Sequence, residues 1–172
     1  SAALSIGAGA LVLTLLRMFE SHPEHADKLV EVALRIQPVA ALAEAAVAHP
    51  GGQLLCEVLL QVLNRGDEAQ SLQATEILAS CLALPGSEEL LYTNDVRVLV
   101  EVLLRELPKH ADDQGARHAK CLKALLERCA EARRHRRGDL APMLEDACCA
   151  DGGTAAVREC CKEALAILAQ HP

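Results

Sequence analysis

The chain has 172 residues, 51% of them apolar, and a formal net charge of −7 at pH 7. That length suits about one domain with a core of its own, and the acidic balance argues against general nucleic-acid or anionic-membrane binding, both driven by basic surface. Phe19 and Tyr92 are the only aromatic residues, so the core must be leucine, valine and alanine, which favours an all-α fold over a β-sandwich.

In chain order, SAALSIGAGALVLTLL lacks the basic start of a signal peptide and meets Arg17 before the ~20 apolar residues of a membrane span. It predicts a buried helix over 8–20, broken by Ser21, His22 and Pro23. A start on Ser1 instead of Met points to a piece of a longer protein. A second helix is expected over 25–37, with Leu29, Val32, Ala33 and Ile36 at helical spacing. Pro38 separates it from a short alanine-rich helix ending near Ala48, and His49, Pro50, Gly51 and Gly52 form the clearest turn signal. Helices over 53–63 and 67–84 follow, the second with Ile77, Leu78, Cys81 and Leu82 inward. One helical turn at 88–91 leads into LLYTNDVRVLVEVLLREL, residues 90–107. There Asn94 is the expected N-cap, Asp95 suits the positive helix end, and Pro108 is a stop. A helix over 116–132, with Leu122, Leu125, Leu126 and Cys129 inward, ends in a basic knot of Arg133, Arg134, His135, Arg136 and Arg137. Helices over 139–150 and 154–170, parted by Asp151, Gly152 and Gly153, complete the chain.

An internal repeat organises these elements. Shifting by 44 residues lays QLLCEVLLQVL (53–63) on RVLVEVLLREL (97–107). The polar positions coincide as well: Gln53, Glu57 and Gln61 fall on Arg97, Glu101 and Arg105. Residues 10–19 fit the same apolar frame, and Met143, Leu144 and Glu145 fit it more weakly. A period near 44 belongs to armadillo and HEAT repeats, in which stacked helical units share one core. The expected organisation is one armadillo-like domain over 1–172 with units near 8–50, 51–87, 88–136 and 137–172.

In such repeats the inner helices line a binding surface. Gln53, Glu57, Gln61, Arg97, Glu101 and Arg105 are therefore candidate protein-binding residues, with a plain solvated i, i+4 charge ladder as the alternative. Arg133, Arg134, Arg136 and Arg137 could meet an acidic partner surface or cap a helix C-terminus. Tyr92 reads as a ring packed under the turn before the helix that Asn94 caps, with a contact anchor as the alternative. The eight cysteines lie in helical apolar patterns and read as reduced, largely buried thiols. Adjacent Cys148 with Cys149 and Cys160 with Cys161 lack the spacing of a zinc site, so no metal or other cofactor is expected. No phosphate loop or nucleophile elbow is present, and no enzyme is expected.

LNRGDE (63–68), YTND followed by VRVLVEVLLREL (92–107), and RRHRRGDL (133–140) together resemble the C-terminal leucine-rich armadillo domain of the NCK-interacting protein with SH3 domain and its fungal relatives. The resemblance runs over roughly 51–168. It implies a module that binds and activates the actin-related protein 2/3 complex to seed linear actin filaments, in the cytoplasm at the actin cortex. A helical-repeat scaffold in another cytoskeletal or ciliary assembly is the alternative.

Overall fold

A computed structural model describes the backbone of residues 2–150 and 152–171, and side chains from residue 9 onward. Asp151, assigned above to the last turn, lies outside the described residues, as does Ser1. The described residues form ten α-helices and three short 3-10 turns with no strand, an all-α helical repeat. None of these helices is long and apolar enough to cross a membrane.

The repeat is visible in the element bounds. Helix α4 (Gly51–Arg65), α6 (Thr93–Glu106) and α9 (Arg137–Cys149) are equivalent: moving α6 by 44 positions gives 137–150. Their following helices, α5 (Glu68–Leu82), α7 (Asp113–Arg128) and α10 (Ala155–Gln170), begin 45 and 42 residues apart. Burial repeats too. Leu55, Cys56, Val58, Leu59 and Leu63 of α4 are buried, and so are their counterparts Leu99, Val100, Val102, Leu103 and Leu107. In α1 (Ala2–Ser21) the frame holds at Val12, Leu15, Leu16 and Phe19 but fails at Leu11, which is 53% exposed where Leu55 is buried.

The chain divides into two compact units, Ser1–Leu91 and Tyr92–Pro172. In the N-terminal unit α4 packs against α1, α2 (Ala26–Ala33), α3 (Val39–Ala48) and α5. Leu16, Phe19, Leu42, Leu55, Leu59, Ile77 and Leu78 fill its core. Each such leucine contributes roughly 2 kcal/mol by leaving water.

The expected turn at 49–52 is confined to His49 and Pro50, and α4 begins at Gly51. The two glycines permit close approach. A Cβ at Gly51 would sit 2.1 Å from the Leu16 carbonyl oxygen, and one at Gly52 1.8 Å from that of Ala46. The Gly51 amide donates to His49 Nδ1 at 3.0 Å, so the imidazole satisfies a helix-start donor. Val32 was expected inward but is 44% exposed. Helix α2 buries Ala26, Leu29, Val30 and Ala33, and at 100° per residue Val32 lies about 110° from the middle of that face.

In the C-terminal unit α6 packs on α7 and α8 (Ala130–Arg134), while α7 and α9 both pack on α10. The helix expected over 116–132 is interrupted at Cys129, whose extended backbone separates α7 from α8. Asp112 accepts from the Gln114 and Gly115 amides, and Thr154 from Val157, to cap α7 and α10. Asn94 is not the cap of α6: the helix starts at Thr93, and Tyr92 occupies the cap position without a side-chain capping bond to the helix. Nor does Tyr92 pack beneath the turn, being 59% exposed. Leu90 and Leu91 just before it are buried.

Candidate functional site

Arg97, Glu101 and Arg105 lie along the outward side of α6, where the helix period places them once Val96, Leu99, Val100 and Leu103 turn inward. Each has a partner beyond the stripe. Arg97 Nε donates to Glu131 Oε1 of α8 at 2.7 Å. Glu101 receives Arg136 Nη1 at 2.9 Å on Oε2 and meets His135 Nε2 at 2.9 Å on Oε1. Arg105 Nε donates to Glu106 at 2.6 Å, and Lys109 Nζ reaches the same carboxylate at 3.0 Å. Arg97 and Glu101 are therefore wired to residues some 34 positions later, at the junction of α8 and α9, whereas Arg105 pairs locally.

Electrostatics follow that wiring. The hydrogen bond from Arg97 holds the Glu131 carboxyl below its ordinary value. Burial opposes ionisation of Glu106, but hydrogen bonds from Arg105 and Lys109 outweigh it and keep the carboxyl low. The Arg136 guanidinium is pushed up by Asp139, 2.6 Å from its Nε, and then by Glu101.

The basic knot is spread over three structural tasks. Arg133 Nη1 donates to the Leu126 and Glu127 carbonyls at the end of α7. Arg137 donates through Nη1 to His171 and through Nη2 to Leu168 at the end of α10. Both satisfy carbonyls that a helix C-terminus leaves exposed, at its negative end. Arg136 stands at φ 54, ψ 30, a left-handed conformation that costs a non-glycine residue roughly 1–2 kcal/mol. That turn carries its side chain back to Glu101. Arg134 is exposed and helps to hold the Glu131 carboxyl low.

The equivalent stripe on α4 is different in kind. Gln53 Nε2 donates to the Glu89 carbonyl at 3.2 Å, Glu57 is half-buried, and Gln61 is exposed. The two stripes belong to separate compact units.

Sequence reasoning missed Glu131, His135 and Asp139 as partners of these residues. Only Arg136 with Asp139, at i, i+3, carries a local signal. It also missed His118, buried in α7, whose ring stacks on that of His110 at 5.7 Å. Burial, then His110, pushes the His118 pKa down, and Glu106, Gln114 and Asp112 oppose this without cancelling it. Of the cysteines, Cys56, Cys81, Cys121 and Cys161 are buried, while Cys149 is exposed. Burial pushes the Cys161 thiol up to about 12, far from the thiolate that reactive cysteines need.

A sequence model of the SPIN90/Ldb17 leucine-rich domain family matches residues 13–139, about three quarters of the chain. The match starts in α1, well before the 51 expected from the motifs, and ends at the start of α9, short of the expected 168. Searches of curated proteins and of solved structures gave no match.

Proposed function

Because the chain belongs to the SPIN90/Ldb17 leucine-rich domain family, we propose that it is a non-enzymatic protein-binding module that engages and activates the actin-related protein 2/3 complex to seed linear actin filaments. The family carries an actin-regulatory setting in general terms, and the match over 13–139 is the observation that supports the finer reading. Contact is assigned to two surfaces, one on each unit: Gln53, Glu57 and Gln61 on α4, and Arg97, Glu101 and Arg105 on α6 with Arg134 beside them. Activity at the cytoplasmic actin cortex follows from the same reading.

Assembly of pyrene-labelled actin with the complex, and with no other activator, tests it. The chain is expected to shorten the lag and to be retained on immobilised complex. Absence of both effects would sink the reading. A second reading is a helical-repeat scaffold in another cytoskeletal or ciliary assembly. The observation favouring it is that Arg97, Glu101 and Arg136 are already engaged within their own unit. Retention of the chain by such an assembly, without acceleration of actin assembly, would decide for it.

A further inference from the structure

We propose that a cleft in the N-terminal unit, at the C-terminal end of α3, receives a lysine or arginine side chain of a partner protein. Val47, His49, Pro50, Gln53, Glu89 and Leu90 line it. Its volume of about 270 Å³ falls below the ~300–1,000 Å³ of small-molecule sites. That is room for one long side chain.

The walls are fixed in advance. Gln53 Nε2 bonds the Glu89 carbonyl, tying α4 to the 3-10 turn Ser87–Glu89. The buried Ser87 hydroxyl donates to the Leu82 carbonyl at 3.1 Å and pins the same turn to the end of α5. Gly86 turns the chain at φ 86, and a Cβ there would lie 3.4 Å from Val47 Cγ1, so the turn rests on the cleft wall. A preformed cleft spares the ordering cost of binding.

The C-terminal end of α3 and the N-terminal end of α4 both line the cleft, with dipoles of opposite sign. Two other features select a cation. Glu89 is exposed at the rim, with Glu88 beside it. The N-terminal unit holds eleven acidic and four basic residues, whereas the C-terminal unit holds thirteen of each. The whole net charge of −7 therefore resides in the unit that bears the cleft. Val47, Pro50 and Leu90 offer apolar contact to the methylene stem while the charged end meets Glu89.

The inference rests on the proposed binding of the actin-related protein 2/3 complex for its partner, but the cleft can be tested without it. Titration with acetyl-Leu-Lys-Leu-amide is expected to shift the amide resonances of Gly86 and of the Gln53 side chain. The acetyl-Leu-Glu-Leu-amide counterpart should leave both unmoved. Glu89→Gln should abolish the shifts, and Glu68→Gln, which removes the same charge outside the cleft, should keep them. Equal shifts from the two peptides, shifts spread over the acidic surface, or shifts surviving in Glu89→Gln would overturn the cleft.

On the immobilised complex, Glu89→Lys is expected to weaken retention about tenfold and Glu68→Lys far less. Equal weakening by the two would overturn the cleft in favour of general charge. Lysine-selective shifts in a wild-type chain that the complex does not retain would overturn the proposed partner and leave the cleft standing.

Discussion

Helices α4 and α6 share the sequence Glu-Val-Leu-Leu in the same register and most of their buried positions, yet their polar stripes have different fates. On α6 the stripe is charged, and its Arg97 and Glu101 are bound to α8 and the start of α9. On α4 it is two amides around one half-buried carboxylate. The repeat frame decides what is buried, because leucines spaced for one helix face must leave water in every unit. What the outward positions do depends on the elements that follow. After α4 comes a helix capped by Asp67, whereas after α6 and α7 comes the short α8 with its arginines.

The strongest way to break the comparison is at the start of α4, where close approach has no equivalent in α6. Gly52→Ala should destabilise by about 3 kcal/mol or more, since its Cβ meets a backbone oxygen that cannot swing aside. The counterpart position in α6 is Val96, a buried side chain. Gly138→Ala, in α9 with nothing within 4 Å of the added carbon, should instead stabilise by roughly 0.5–1 kcal/mol. Urea denaturation of the three chains measures both. Similar midpoints for Gly52→Ala and wild type would show that α4 does not depend on that approach.

The shared frame is sharpened by paired truncation. Leu59→Ala and Leu103→Ala occupy equivalent, fully buried positions, and each should cost about 2–5 kcal/mol. If the frame governs burial, the two losses should agree to within about 1 kcal/mol, a comparison chemical denaturation can make. A loss at one position only would mean that the register match carries no common packing.

A smaller effect separates the units by pH. His118 lies in the C-terminal unit and its folded pKa is depressed by burial. The neutral ring is favoured in the folded state, so its contribution is complete above the unfolded value of about 6.5 and is lost as pH falls below it. Melting temperature should drop between pH 7.5 and pH 5.5, and His118→Phe should flatten that drop. A variant with the same pH slope as wild type would remove His118 as the cause.

The fold was legible because helix periodicity and the repeat are local or self-similar signals. The presence of α6 and α9 follows from the 44-residue shift, as do most of the buried leucines, although both helices begin two residues earlier than the Asn94 cap and the 139–150 range imply. Gly51 and Gly52 were misread because the same residues that favour a turn also allow close backbone contact, and only the neighbouring Leu16 and Ala46 decide which. The stripe residues were legible as outward-facing, but Glu131 and His135 as their partners were not, since such a pairing is set by how α8 leaves α7 at Cys129. The alanine-rich helices before residue 51 carry no distinctive motif, yet the family match begins at 13. That pattern is distributed over many apolar positions instead of being concentrated in a few.

The finest contrast concerns Arg136, for which α4 has no analogue. Its left-handed backbone costs roughly 1–2 kcal/mol, and its ion pairs with Glu101 and Asp139 are exposed, so that water and salt weaken them. Arg136→Gly removes both at once, while glycine adds an unfolded-state entropy cost of roughly 0.5–1 kcal/mol. At low salt the terms oppose one another, and the variant should lie close to wild type. At 1 M salt the Debye length shrinks to about 3 Å and the pairs are screened, so the backbone term prevails. Arg136→Gly should then become the more stable chain, whereas Glu101→Gln, which loses a pair and relieves no strain, should only converge on wild type. Urea midpoints for both variants at the two salt concentrations test this, and an Arg136→Gly chain that stays less stable at 1 M would show that the turn at 136 is held by more than its charges.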